Sequence, residues 1–385
     1  MSPKVKRGAA AIVGIAESDL GVVAAGTTPI DLMAQAVTRA LDDCGLSLLD
    51  VDGIFAATTQ SRMAGLALAE YLMCPDAYIE STSVGGSSFL LHLARAQAAI
   101  DAGVCEVAVI AYGSTQRSVG RKSASRPEWN PFESPLRPVL PVSAYALAAA
   151  RHMYEFGTTR EQLAEVAVAA REWALLNPAA WEKTPLTVED VLSSRMVSYP
   201  LTVRDCCLVT DGGGAIVLVS AQRAQSLRKP PVFILGAAHH TTHLTISNMP
   251  NLVETGAKQS GAAALHAAGL GPKDMDVVML YDAFTINVIL FLEDLGFCKK
   301  GEGGVFVSDG RIAPGGVLPV NTNGGGLSYC HPGMYGLMLL IEAIRQLRGE
   351  CGERQVVRPR VALAHGNGGV LSSQSTVILG LEETL

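Results

Sequence analysis

An internal repeat limits this chain to few architectures. Laid over itself at an offset of 224 residues, the stretch from Ala40 to Ala57 aligns without a gap on Ala264 to Tyr281: Gly45-Leu46 falls on Gly269-Leu270, Asp50 on Asp274 and Asp52 on Asp276. Each copy reads as a helix ending at the glycine, a short polar connection and an apolar strand. The similarity continues in order. Ser83-Val84-Gly85-Gly86-Ser87-Ser88 precedes a helical run, Phe89 to Ala102, and a strand, Val107 to Ala111, that ends in Tyr112-Gly113. In the second half Asn323-Gly324-Gly325-Gly326 precedes a helical run near Gly333 to Leu347 and a strand, Arg360 to Ala364, that ends in His365-Gly366. Strands alternating with helices predict an α/β protein of two duplicated βαβαβ-type halves with mainly parallel sheets. Ligands of such sheets gather beyond the carboxyl ends of the strands. Ser83, Tyr112, Tyr281, His331 and His365 all fall near such ends or the turns between them.

The halves differ in what is inserted. Residues from about 115 to 200 are too long for a simple loop, with a Pro/Ser/Arg-rich opening (Arg117 to Pro141) and two helical runs, Ala144 to Phe156 and Thr159 to Leu176. They predict a loop or cap region within an N-terminal half spanning 1–222. Asp211-Gly-Gly-Gly-Ala-Ile-Val-Leu-Val-Ser reads as a turn entering a buried strand that closes this half. The polar, proline-ended run from Arg223 to Pro231 links it to a C-terminal half, 231–385.

Composition narrows the function classes. Hydrophobic residues make up 49% and charged ones 17%, which disfavours disorder and predicts surface covered by another subunit. A net charge of −6, without a Lys/Arg stripe, argues against nucleic acid. Glu17, Asp19 and Asp211 interrupt the best apolar runs before they reach the roughly 18 to 20 residues of a membrane span. Lys4, Lys6 and Arg7 ahead of Gly8 to Ala16 imitate a signal peptide, but the segment reads better as a first buried strand. The eight cysteines lack Cys-x-x-Cys spacing, so neither zinc nor a disulfide framework is predicted, and a cytoplasmic location fits. His239, His240 and His243 crowd one segment, but no fourth ligand stands at recognisable spacing, and no metal is expected.

The run Asn321-Thr-Asn-Gly-Gly-Gly-Leu-Ser-Tyr-Cys-His-Pro-Gly-Met-Tyr-Gly336 carries the strongest chemical signal. Glycines permit close backbone approach, asparagines tolerate turns, and proline fixes the residue after His331. That pattern suits an imidazole held at the floor of a pocket.

These motifs resemble the thiolase superfamily, specifically the thiolase-like proteins grouped with the thiolase part of sterol carrier protein and with the lipid-transfer proteins. Asn321 to Pro332 is similar to the family's Asn-x-Asn-Gly-Gly-x-x-x-x-x-His-Pro block, Tyr281-Asp282-Ala283-Phe284 to its Asn-Glu-Ala-Phe, and Asp211 to Leu218 to its Asp-Gly-Ala-Ala-Ala-Val-Val-Leu strand. The resemblance covers nearly the whole chain. It implies the thiolase fold, a five-layer αβαβα sandwich with an inserted loop domain, a homodimer built through the first-half sheet, and acyl-CoA as substrate with no permanently bound cofactor. It also implies a possible small OB-fold partner protein.

The resemblance carries His331 over unchanged but loses both family cysteines. Ser83 stands at the first cysteine, His365 at the second, and Tyr281 at the asparagine that holds the oxyanion-hole water. A serine hydroxyl is far less acidic than a thiol and needs a base in direct contact, which disfavours an acyl-Ser83 intermediate. Three activities stay open: carbon–carbon cleavage or formation as a CoA-ester aldolase, acyl transfer through Ser83 or an unexpected cysteine, and non-catalytic acyl-CoA or lipid binding in support of a partner. In the first, His331 and backbone amides near Gly368 and Gly369 would bind the thioester oxygen, and Tyr281 and His365 would move the proton. Asn323 joins the expected binding residues. Arg117, Arg121, Lys122 and Arg126 form the densest basic group for the CoA phosphates. Each has a plain alternative: Ser83 caps the next helix, Tyr281 packs at a strand end, His365 bonds to backbone in a turn, and the arginines coat a solvated loop.

Overall fold

The computed structural model describes residues 6–120 and 129–385. Its core is a nine-stranded mixed sheet in the order β3-β2-β4-β7-β1-β8-β11-β10-β9. The strands are β1 (Ala10–Glu17), β2 (Gly53–Ala56), β3 (Tyr78–Glu80), β4 (Val107–Ser114), β7 (Gly212–Ser220), β8 (Val232–Thr241), β9 (Val277–Leu280), β10 (Val361–Gly368) and β11 (Ser373–Gly380); β5 (Met196–Ser198) and β6 (Leu201–Thr202) form a separate hairpin. Replacing β1, β7, β4 and β2 by β8, β11, β10 and β9 converts one side of the order into the other. The repeat is therefore a pseudo-twofold, joined where Ala11 and Ile12 pair with Phe233 and Val232. Even the edges correspond: β3 lies parallel to β2, and a parallel bridge from Val278 to Val320 takes its place beside β9.

The sheet is mixed rather than mainly parallel. Parallel pairs join β2 to β3 and β4, and β9 to β10, whereas β7 and β11 run antiparallel to their neighbours. For β11 the reason is local: only the short turn 369–372 separates it from β10, and a turn of that length can join only antiparallel strands.

Side-chain chemistry explains why the two copies fold alike. Helix α1 (Pro29–Cys44) and its counterpart after β8 (Ala257–Ala268) both end at a left-handed glycine, Gly45 and Gly269. Asp52 then accepts from the backbone N–H groups of Glu106 and Val107, and Asp276 from those of Arg360 and Val361, which fixes the starts of β4 and β10. Each outer helix lies directly on a glycine of its strand. A Cβ on Gly236 would fall far inside contact with the Ala264 carbonyl oxygen and 2.9 Å from the Ala268 nitrogen, and Gly14 meets Ala40 in the same way. Gly236→Ala is expected to cost about 1–3 kcal/mol by forcing this helix off the sheet, measured by denaturant titration.

Two buried helices occupy the middle layer: α3 (Ser88–Asp101), following α2 (Ala64–Leu72), and a later one spanning Gly336–Leu347, each packed on strands of both halves. The inserted segment contributes α4 (Val142–Phe156) and α5 (Arg160–Leu175). Continuing in chain order, α6 is Ala257–Ala268, α7 is Thr285–Asp294 and α8 is Gly336–Leu347. Among the described residues no helix is long and apolar enough to cross a membrane.

Candidate active site at the junction of the halves

The asparagine–glycine run is stitched to the fold residue by residue. Asn321, in a left-handed conformation, accepts from the Leu280 N–H at 2.7 Å, so the run begins against the end of β9. Thr322 donates to Glu342 of α8 at 2.8 Å. Asn323 accepts from the Gly325 N–H and from the Tyr335 hydroxyl at 3.0 Å. Gly325–Tyr329 then forms a π-helical turn whose Gly326 and Leu327 N–H groups donate to the Asp282 carboxyl. Burial pushes the Asp282 pKa up to about 7, against the amides that favour its charged form. The insert grips the same turn: Arg171 of α5 donates to the Ser328 hydroxyl, and Asn177 to the Asn323 carbonyl.

The turn after His331 is clamped by two tyrosines from the two halves. Tyr112 of β4 donates to the Pro332 carbonyl and accepts from the Met334 N–H. Tyr281 donates to the Gly333 carbonyl and accepts from the Tyr335 N–H, both at 3.2 Å. His331 is thereby held with its ring edge-on to Tyr281, centroids 5.6 Å apart, and stacked on Tyr335 at 5.9 Å.

His331 is 6% exposed, and neither ring nitrogen has a hydrogen-bond partner. Burial lowers its pKa to about 4, so the imidazole is neutral at pH 7 and carries one N–H donor. The Asn323 side-chain nitrogen is also buried and unpartnered. Both donors belong to residues that touch Tyr335. Buried polar groups are ordinarily paired, and unpaired ones in a native fold are candidates for ligand contact. A neutral imidazole with so low a pKa is a poor base and a sound hydrogen-bond donor, which suits an oxygen that gains charge during a reaction.

The other predicted residues are distributed unevenly around this pair. The glycine-rich turn of the first half meets the end of β10: a Cβ on Gly85 would stand 2.7 Å from the Gly368 Cα, and Gly86 lies against the Tyr281 ring. Gly368 and Gly369 thus end β10 at the junction. Ser83 lies in the same turn but is exposed, and it is Ser87 whose hydroxyl bonds to Ser373 and the Val84 carbonyl. Nor does Ser83 cap α3, which begins at Ser88, with the Val84 N–H on the Ser88 hydroxyl.

His365 lies inside β10 rather than in a turn, because the strand runs on to Gly368. It is fully buried, with Nδ1 bonded to the Thr376 hydroxyl and Nε2 to Gln374 Oε1, both at 2.9 Å. Gln374 Oε1 only accepts, so Nε2 carries the proton. Arg117 donates to the Val209 carbonyl and stacks on Trp181 at 5.0 Å; Arg121, Lys122 and Arg126 lie outside the described residues. The rings of His239 and His243 bond to neighbouring hydroxyls and to the Val370 carbonyl.

No acidified thiol appears among the described site residues. Burial raises the Cys330 and Cys207 pKa values well above the ordinary thiol range, and Cys206 is pushed up to about 12. Asp282 and the clamping role of Tyr112 escaped sequence reasoning. An acidic residue at the mouth of a buried strand marks the first, and the place of Tyr112 in the repeat, opposite His365, marks the second.

Fold and site together define an α/β sandwich of duplicated halves with a histidine turn at their junction. A family model described as thiolase C-terminal domain-like matches residues 238–381. The chain is 36% identical to the steroid side-chain-cleaving aldolase of Thermomonospora curvata over 89% of this chain and 91% of that protein. It is 32% identical to an acetyl-CoA acetyltransferase of Methanothermobacter thermautotrophicus, over 93% and 96%. Among solved structures, the Ltp2-ChsH2(DUF35) aldolase aligns with a TM-score of 0.89 at 32% identity, covering 99% of this chain and 100% of that one. The chain belongs to the thiolase superfamily, in its sterol-carrier-protein-thiolase-like group.

Proposed function

We propose that this protein breaks or makes a carbon–carbon bond in an acyl-CoA thioester by aldol-type chemistry, without an acyl-enzyme. The observation that carries this reading is the pair of buried, unpartnered donors, His331 and the Asn323 amide, in a site where no thiol is acidified. In the cleavage direction the 3-hydroxyl proton passes to a general base, the C2–C3 electron pair moves into the thioester as an enolate, the C3 fragment leaves as a carbonyl compound, and the protonated base supplies the proton that C2 then takes. The His331 N–H and Asn323 Nδ2–H would hold the thioester oxygen as its charge grows. Burial holds the Tyr281 phenol protonated, and its hydroxyl already donates to the Gly333 carbonyl and accepts from the Tyr335 N–H, so it would act by holding the turn after His331 rather than as the base that takes the 3-hydroxyl proton. With both ring nitrogens already bonded, His365 would act by positioning its strand.

Arg117, fixed at the surface by Val209 and Trp181, keeps N–H groups for a CoA phosphate. Likeness to the Ltp2-ChsH2(DUF35) aldolase, whose name carries two components, supports a partner protein in the active assembly; an OB fold for that partner and a homodimer of this chain are what the family resemblance adds to the proposal.

Ser83 and pH test this reading together. Ser83→Ala is expected to change kcat/KM less than about 2-fold, and kcat/KM should show no break from His331 near pH 6.5, because that ring stays neutral down to about pH 4. Loss of turnover in Ser83→Ala, with acyl label trapped on the wild-type protein, would establish acyl transfer instead. Tight acyl-CoA binding without turnover of any 3-oxo- or 3-hydroxyacyl-CoA would leave a binding subunit.

A further inference from the structure

Asp282 is a fully buried carboxyl at the heart of the histidine turn, and the reaction proposed above gives it no part. The turn is wrapped around it. Gly326 and Leu327 donate their N–H groups to its two oxygens at 2.6 and 3.3 Å, and the Asn321 amide, whose Oδ1 is taken by the Leu280 N–H, presents its nitrogen. A Cβ on Gly325 would fall on the carboxyl itself. One on Gly326 would stand 3.2 Å from Asp282 Oδ1 and 2.9 Å from His331 Cδ2, so a single glycine separates the carboxyl from the imidazole. All three polar neighbours are donors. An ionised carboxylate only accepts and fits them, whereas a protonated one carries an O–H with no acceptor among the three and must give up one of the bonds.

The titratable and charged groups around Asp282 are Cys207 from the segment before β7, Cys330 and Tyr335 from the asparagine–glycine run, His331 beyond Gly326, and Arg171 of α5. Burial keeps the thiols, the phenol and the imidazole uncharged at pH 7, and Arg171 is engaged by the Ser328 hydroxyl and the Thr184 carbonyl. Glu17, behind Cys330, is paired with Arg345. We propose that Asp282 is a positioning residue: its ionised form shapes the turn so that His331 and Asn323 present their N–H groups to the thioester oxygen, and its protonation disassembles that pair. This rests on the acyl-CoA reading above.

Burial sets the titration at about pH 7, and folding and binding then respond to pH in opposite senses. The folded-state pKa lies above the ordinary carboxylate value of 3.8, so the contribution to stability is present in full below about pH 4 and lost as pH rises through about 7. Binding at His331 grows as the same proton leaves. A carboxylate that merely held the fold together would move stability and binding alike.

Calorimetric titration of the full chain with a non-hydrolysable acyl-CoA thioester analogue and with CoA itself provides the test, since the ratio of the two affinities cancels titration of the phosphates. In the wild type the analogue-to-CoA ratio is expected to rise about 10-fold between about pH 6 and about pH 8, following the ionised fraction of Asp282 while His331 stays neutral. Asp282→Asn, uncharged throughout, should hold the ratio at its low acid value, and its melting temperature should fall less than that of the wild type between about pH 5 and about pH 7.5. The same rise in the asparagine variant would overturn the assignment. So would a flat ratio in the wild type that binds both ligands, a result that needs no variant to fold and sinks this inference alone. Wild type binding neither ligand would sink the acyl-CoA reading and this one with it.

Discussion

Replacing His331 with alanine is expected to lower kcat/KM on a 3-hydroxy- or 3-oxoacyl-CoA by about 10²–10³-fold, the range for loss of one preorganised donor to a developing oxyanion. The melting temperature should hold or rise. The imidazole is buried with both nitrogens unpaired, so the fold gains no hydrogen bond from the ring and bears its desolvation. Loss of activity with stability kept is the signature of a group that pairs only with substrate. His331→Asn, which restores a neutral N–H donor in a smaller side chain, should recover part of the loss. A drop in stability with little change in turnover would make the ring a packing element between Tyr281 and Tyr335.

Glu342→Ala is expected to destabilise the protein by about 3–5 kcal/mol in denaturant titration, the range for breaking a buried ion pair from one side. Glu342 receives Arg354 through two hydrogen bonds of 3.0 Å, with both side chains buried, and removing the carboxylate strands the guanidinium. Adding Arg354→Met should recover much of the loss by taking away the stranded charge. Turnover should fall in both variants. Thr322 donates to the same carboxylate, and that bond ties the asparagine run to α8 immediately beside Asn323. Full recovery of activity in the double variant would show that the Thr322 contact does not align the site.

Much of this architecture was legible in the sequence because the repeat is written in residues with one dominant physical use. Gly45 and Gly269 end helices, and Asp52 and Asp276 lock strand starts, so a single alignment predicted the duplicated architecture. Strand direction was less legible: the short turn behind β11 reverses the chain, and alternation of strand and helix alone does not reveal it.

His331 could be singled out because proline and glycines surround it. His365 could not be placed, since only three-dimensional pairing shows β10 continuing through it and Thr376 and Gln374 waiting across the ladder. The π-helical turn was hidden for the same reason, because it is held by Asp282 and Arg171, 44 and 157 residues away from their partners Gly326 and Ser328.

The most direct test is a crystal structure with a non-hydrolysable acyl-CoA thioester analogue, reading the distance from the carbonyl oxygen to the His331 ring nitrogens and to Asn323 Nδ2. Hydrogen bonds of about 2.7–3.1 Å from both side chains are the predicted result. A carbonyl seated elsewhere, with both donors still unpaired, would contradict it.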